Sequence, residues 1–242
     1  MEIKFNKRVV RAVQSILGAM IVLIMSAGLG RSQDRPAAYP SMAALDQYLM
    51  DRGAEIALAR AAAPDAISRD AKIMVLGGHG YETAVEGSNG FVCAVERGWM
   101  TPFDHPEFWN PKIRGPICFN PPAARSVWPL TIKRTQLALA GLSREQIAEK
   151  MKAPVTQKEL PTLEGGAMSY MMAKGAYLTD SDDHNLCHLM IFTPVMKGAA
   201  WGADLPGSPV MFGGEYQEAP EPITVFLVPV AKWSDGTAAP QM

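Results

Sequence analysis

The sequence predicts a single α+β domain in which an antiparallel sheet is flanked by helices and overlaid by long Pro-rich loops. Three observations point to it. Short apolar runs alternate with period two, as where Phe91, Cys93 and Val95 share one face of Phe91–Arg97. Turn formers, not crossover helices, separate the first of these runs, which favours an antiparallel meander. Helical patterns stand apart from the strands, near residues 41–56 and again from Ser143. With 242 residues, 48% hydrophobic, 19% charged and only three cysteines, the chain is not a disordered, collagen-like or disulfide-scaffold protein.

Taken in order, the chain opens on a leader. Residues 1–30 carry Lys4, Lys7, Arg8 and Arg11 against Glu2, a net charge of +3, so the other 212 residues sum to −4. The cations precede the ten-residue apolar run Ile16–Met25 and then Ser26-Ala27-Gly28-Leu29-Gly30, the pattern of a secretory signal peptide. Extended to Leu29 the run has 14 residues, short of the roughly 20 that a spanning helix needs. The expectation is therefore a cleaved signal peptide over 1–30, a linker over 31–40 and one globular domain over 41–242, placed in the periplasm or secreted. Membrane contact is expected only through the uncleaved leader. A net charge of −1 offers no overall basic face to nucleic acid.

Ser41 is expected to cap a helix carrying Met42, Leu45, Leu49 and Ile56, interrupted near Gly53 and ending before Pro64. Strands are expected at Lys72–Leu76, Tyr81–Val85 and Phe91–Arg97. Gly77-Gly78-His79-Gly80 turns between the first two, and Asn89-Gly90 gives a hairpin signal before the third. Residues 99–129 hold seven prolines and six aromatics and are expected to form a long ordered loop packed over the sheet. Ser143 and Gln146 fit a capping box, with Leu142 and Ile147 as its hydrophobic staple, on a helix expected to end before Pro154. Further strands are expected within Ala167–Ala173, Leu186–Thr193 and Ile223–Val230, where Pro229 marks a sheet edge or bulge. The tail from Ser234 is expected to be loose.

Candidate chemistry is sparse. Export permits a disulfide, and Cys93 with Cys118 is the first pair to consider, leaving Cys187 over. His184 and His188 have the i, i+4 spacing of helical metal ligands, but the surrounding residues are strand-like, where four positions span about 13 Å. No metal site is therefore assigned. Asp180, Asp182 and Asp183 lack the glycine and final ligand of a calcium loop. The Gly77–Gly80 turn would offer backbone N–H groups to an anion, yet no G-x-S-x-G elbow accompanies it. Neither GxGxxG nor GxxxxGK[ST] occurs, and the sequence assigns no cofactor. Glu82, Glu86 and Glu96 with Arg97, Arg114 and Arg125 fit either a cleft or ordinary salt bridges.

The stretches VLGGHGYETAVEGSNGFVCAVERGW, FWNPKIRGPICFN and PEPITVFLVPVAKWSDGT resemble uncharacterised exported bacterial proteins, over roughly residues 54–240. The resemblance implies a bacterial periplasmic or secreted setting and supplies no activity.

Two function classes follow. The first is a binding module that uses the aromatic segment 99–128 to hold a small molecule, peptide or glycan, with Trp99, Trp109, Arg114, Arg125 and Trp128 lining the site. The alternative is a hydrolytic or metal-assisted enzyme built on His79, His184, His188 and Glu82. Binding ranks first because no catalytic motif is complete.

Overall fold

The apolar runs become strands, and the turn residues between them decide how those strands pair. A computed structural model describes residues 39–156, 160–181, 186–213, 221 and 223–240. Among these residues the fold is a mixed α+β arrangement, an eight-stranded sheet in the order β2-β1-β3-β4-β5-β6-β8-β7 with five α-helices. No described helix is long and apolar enough to cross a membrane.

Strands β1 (Lys72–Gly77) and β2 (Gly80–Val85) form a hairpin whose two-residue tip is Gly78-His79. β3 (Val92–Glu96) then pairs with the other side of β1 and runs parallel to it, Lys72 opposite Val92 and Ile73 opposite Cys93. This corrects the expected antiparallel meander. A parallel neighbour needs the chain to return to its starting end, a task usually given to a crossover helix. Here β2 makes that return, and residues 86–91 pass across the start of β1. At Gly87 the backbones touch so closely that a Cβ would lie 2.1 Å from the Lys72 amide nitrogen. The Asn89-Gly90 step closes no hairpin. Asn89 donates from Nδ2 to the Ile67 carbonyl (2.7 Å) and accepts the Phe91 N–H, while Gly90 at φ +78° turns the chain into β3.

The remaining pairings are antiparallel: β4 (Gly115–Phe119), β5 (Met168–Met171), β6 (His188–Pro194), β7 (Met211–Phe212) and β8 (Ile223–Pro229). β4 and two helices, α3 (Pro121–Ser126) and α4 (Trp128–Leu139), occupy the stretch read as a loop. The prolines there sit where regular structure tolerates them. Pro121 begins α3 behind the Asn120 cap, whose side chain accepts the Ala123 N–H, and Pro129 lies in the first turn of α4. Pro116 lies opposite Val95 of β3 at a level that the β5 pairing does not reach, so its missing N–H interrupts no ladder there.

Helix α1 (Arg52–Arg60) starts later than expected, behind a 3-10 turn at Leu45–Gln47, because Asp51 supplies the cap by accepting the Ala54 N–H. The interruption expected near Gly53 falls just before it, between Gln47 and Arg52. A short α2 (Asp65–Ser68) follows. α5 (Arg144–Thr156) opens on the capping box: Ser143 N–H donates to Gln146 Oε1 (2.9 Å) and Gln146 N–H to Ser143 Oγ (3.3 Å). It runs past Pro154, which falls in its last turn, where a single lost backbone bond does not end the helix. The described part of the tail, to Pro240, is docked, not loose. Trp233 and Ala239 are buried, and Ser234 N–H donates to the Met172 carbonyl.

The two sheet faces carry different cores. α1, through Ala59, and Ala62 in the turn after it cover the face of Ile73, Cys93, Val95 and Cys118, and a disulfide joins Cys93 to Cys118 across the β3–β4 pair. α3 and α4 cover the opposite face, where Val127 and Trp128 meet Met74, Ala94, Ile117 and Phe119.

Candidate functional site

Helix α4 and its N-cap Val127 turn Val127, Leu130, Thr131 and Arg134 inward, the i, i+3/i+4, i+7 stripe of a helix laid on a sheet. Opposite them, period-two alternation points Phe119 of β4, Phe192 of β6 and Val225 of β8 to the same side. Between helix and strands lies a half-open cavity of about 180 Å³. Its walls are apolar except for a group formed by Glu96, Thr131, Arg134 and Glu221.

This polar group has a defined geometry. Thr131 Oγ1 donates to Glu96 Oε1 at 2.9 Å. Burial pushes the Glu96 carboxyl up to about 7, against the smaller downward pull of Thr131 and of the Arg134 charge. Arg134 Nε stands 2.8 Å from Glu221 Oε1, with both side chains no more than 10% exposed. Its Nη1 donates to the carbonyls of Trp99 (3.3 Å), Met100 (3.1 Å) and Thr101 (3.2 Å). Its guanidinium also stacks over Phe103, 3.8 Å from the ring centroid. Arg134 therefore ties the start of the aromatic segment to α4 and forms one end of the cavity.

The residues proposed from sequence are placed elsewhere. His79 is exposed at the β1–β2 tip, whereas His188 is buried at the start of β6. Four strand spacings separate β1 from β6, at least roughly 19 Å, so these two histidines share no site. His184 lies outside the described residues. Burial lowers the His188 pKa, keeping the ring neutral, and its Nδ1 stands 2.7 Å from the Leu186 carbonyl oxygen. Glu82 is exposed and paired with Arg52. Among the described residues no three His, Cys, Asp or Glu side chains are grouped to hold a metal ion.

The aromatic segment forms no open groove either. Trp99, Trp109 and Trp128 are 0%, 3% and 8% exposed, each committed to a core cluster. Trp99 donates from Nε1 to Thr135 Oγ1 (3.1 Å), which satisfies its only polar atom. Arg114 donates to the carbonyls of Pro111, Ile113 and Gln47, and desolvation lowers its pKa to about 10. Arg125 is exposed and held by Glu164 at 2.6 Å. Cys187 is a buried thiol that donates to the Lys232 carbonyl, and burial raises its pKa, away from the reactive thiolate.

Sequence reading therefore missed Thr131, Arg134 and Glu221 and named Glu96 only as one of three acids that fit either a cleft or ordinary salt bridges. Two signals were present. Glu96 follows Val92 and Ala94 on one face of a strand, and Arg134 follows Val127 and Leu130 on an apolar helical stripe. A charge on a buried face must be paired or serve a site.

Compared with protein-family models, curated proteins and solved structures, the chain shows no match.

Proposed function

We propose that this protein is an exported binding module that takes a small, largely apolar molecule into the cavity between α4 and the sheet. The supporting observation is the cavity itself: apolar walls with a few convergent polar groups are the ordinary make-up of a ligand site. The aromatic Pro-rich segment takes part through Met100, Phe119 and Val127, which line the cavity, while its tryptophans brace the core behind them. About 180 Å³ suits one ring or a short aliphatic chain better than a peptide or glycan. The leader and the Cys93–Cys118 disulfide support export to an oxidising compartment.

A thermal-shift titration with toluene, indole and benzyl alcohol tests the binding reading. Binding to the folded state raises Tm in a saturable way, by a few degrees at ligand concentrations well above Kd. Val225→Phe, which places a ring in the cavity, should remove the rise while the variant still unfolds cooperatively. A panel with no effect, or an unchanged response in Val225→Phe, would end the proposal. Fusing residues 1–40 to a reporter that is active only outside the cytoplasm tests export; an inactive fusion counts against it.

A further inference from the structure

We infer that the cavity selects a small apolar amine, with its ammonium held by Glu96 and its hydrocarbon part held against α4, β4, β6 and β8. This rests on reading the cavity as a ligand site and adds the chemical class of the ligand. The inference starts from charge. With Glu96 ionised, the described residues of the cavity wall carry two carboxylates, Glu96 and Glu221, against one guanidinium, Arg134. Arg134 is paired with Glu221 at 2.8 Å, and its charge lowers the Glu96 carboxyl less than burial raises it. Glu96 is left with one hydrogen bond, from Thr131 to Oε1, and no second donor reaches it among the described residues. Among the described residues, no other group around it supplies a paired cation. The Tyr81 phenol, on β2, donates to the Val95 carbonyl (2.7 Å), and the rest of the cavity wall is apolar.

Glu96 is partly buried with no paired cation among the described residues; burial raises its carboxyl to about 7, and an arriving cation favours the ionised form. A ligand ammonium provides that cation and three donors at once. A ligand carboxylate finds no comparable partner, because Glu221 and the carbonyls of residues 99–101 already surround Arg134. A neutral alcohol of the same shape gains the apolar contacts and at most one hydrogen bond. The expected order is therefore amine, then alcohol, then acid.

Calorimetric titration of the purified protein at pH 8 with benzylamine, benzyl alcohol and benzoate reads this order. Benzylamine should bind at least about tenfold more tightly than benzyl alcohol, and benzoate more weakly than either. Glu96→Gln should bring amine and alcohol to equal affinity, and retained alcohol binding shows that the variant is folded. A second readout needs no variant. At pH 6.5, benzylamine binding should release roughly half a proton or more, measured as a buffer-dependent heat. Equal affinities in the wild-type protein, a preference that survives Glu96→Gln, or no proton release would each overturn the inference while leaving the cavity a ligand site. Failure of all three probes to bind would overturn both.

Discussion

Each face of the sheet holds a buried Glu–Arg pair, and the two pairs are built differently. On the α1 face, Glu55 and Arg97 are 1% and 0% exposed at 2.8 Å. Arg97 also donates to the Tyr48 and Val95 carbonyls, and Glu55 accepts the Leu76 N–H. The same face carries the small alanines and the disulfide of its core cluster. On the α4 face, Arg134 and Glu221 stand beside a cavity, with a further carboxylate, Glu96, facing the same space. The first pair joins α1 to β1 and β3 and is closed off from solvent. The second is a wall, and the carboxylate beside it has a hydrogen bond from Thr131 but no paired cation among the described residues. A buried ion pair by itself therefore says little about function; the free volume and the unmatched charge next to it distinguish scaffold from site.

The largest expected effect breaks the sealed pair. Arg97→Met leaves Glu55 buried and unpaired and should cost about 3–5 kcal/mol in urea unfolding, whereas Arg134→Met, next to a cavity that admits water, should cost less by at least about 1 kcal/mol. Equal costs would erase the contrast between the faces. Next, reducing the Cys93–Cys118 bond, or replacing both residues with Ser, should cost about 3 kcal/mol, and ligand binding on the other face should survive wherever the protein remains folded. Loss of both together would couple the faces.

The third effect concerns pH. The carboxyl of Glu96 is raised from 4.5 to about 7 by burial. Its protonated form therefore favours the folded state, a contribution present below about pH 4.5 and lost as pH rises to about 7. Glu96→Gln should remove this slope and stabilise the protein at pH 8 relative to wild type by about 2 kcal/mol. The buried His188 acts in the opposite sense, since its lowered pKa withdraws stability as pH falls, so the difference between wild-type and variant curves isolates Glu96. A flat difference curve would show that Glu96 is solvated. The smallest effect is local: Ser143→Ala should cost about 1 kcal/mol by removing the α5 cap, with no change in either pair.

What the sequence disclosed follows from how far each signal reaches along the chain. Strands β1, β2, β3, β5, β6 and β8 and the Ser143–Gln146 cap are local patterns, and all fall within or beside the expected segments. β4 and the starts of α3 and α4 were hidden because proline was read as a breaker, although Pro121 and Pro129 stand in first turns and Pro116 where it interrupts no second ladder. The parallel β1–β3 pairing depends on a crossing that no periodicity encodes. The cavity is least legible of all. Glu96, Thr131, Arg134 and Glu221 come from β3, α4 and the approach to β8, and only the folded sheet makes them neighbours. The histidines showed the reverse, similar in type but separated by the strand order.

The crossing of residues 86–91 beneath β1 also sets rules for sequence drift. Gly78 and Gly87 lie nine positions apart. At Gly78 nothing stands within 4 Å of an added Cβ, while at Gly87 the same atom would strike the Ala71 and Lys72 main chain. In a saturation library scored for folded yield, position 78 should accept most side chains and position 87 almost none. The parallel strand pair thus depends on one residue having no side chain, and a lineage that lost that glycine would have to reroute its sheet.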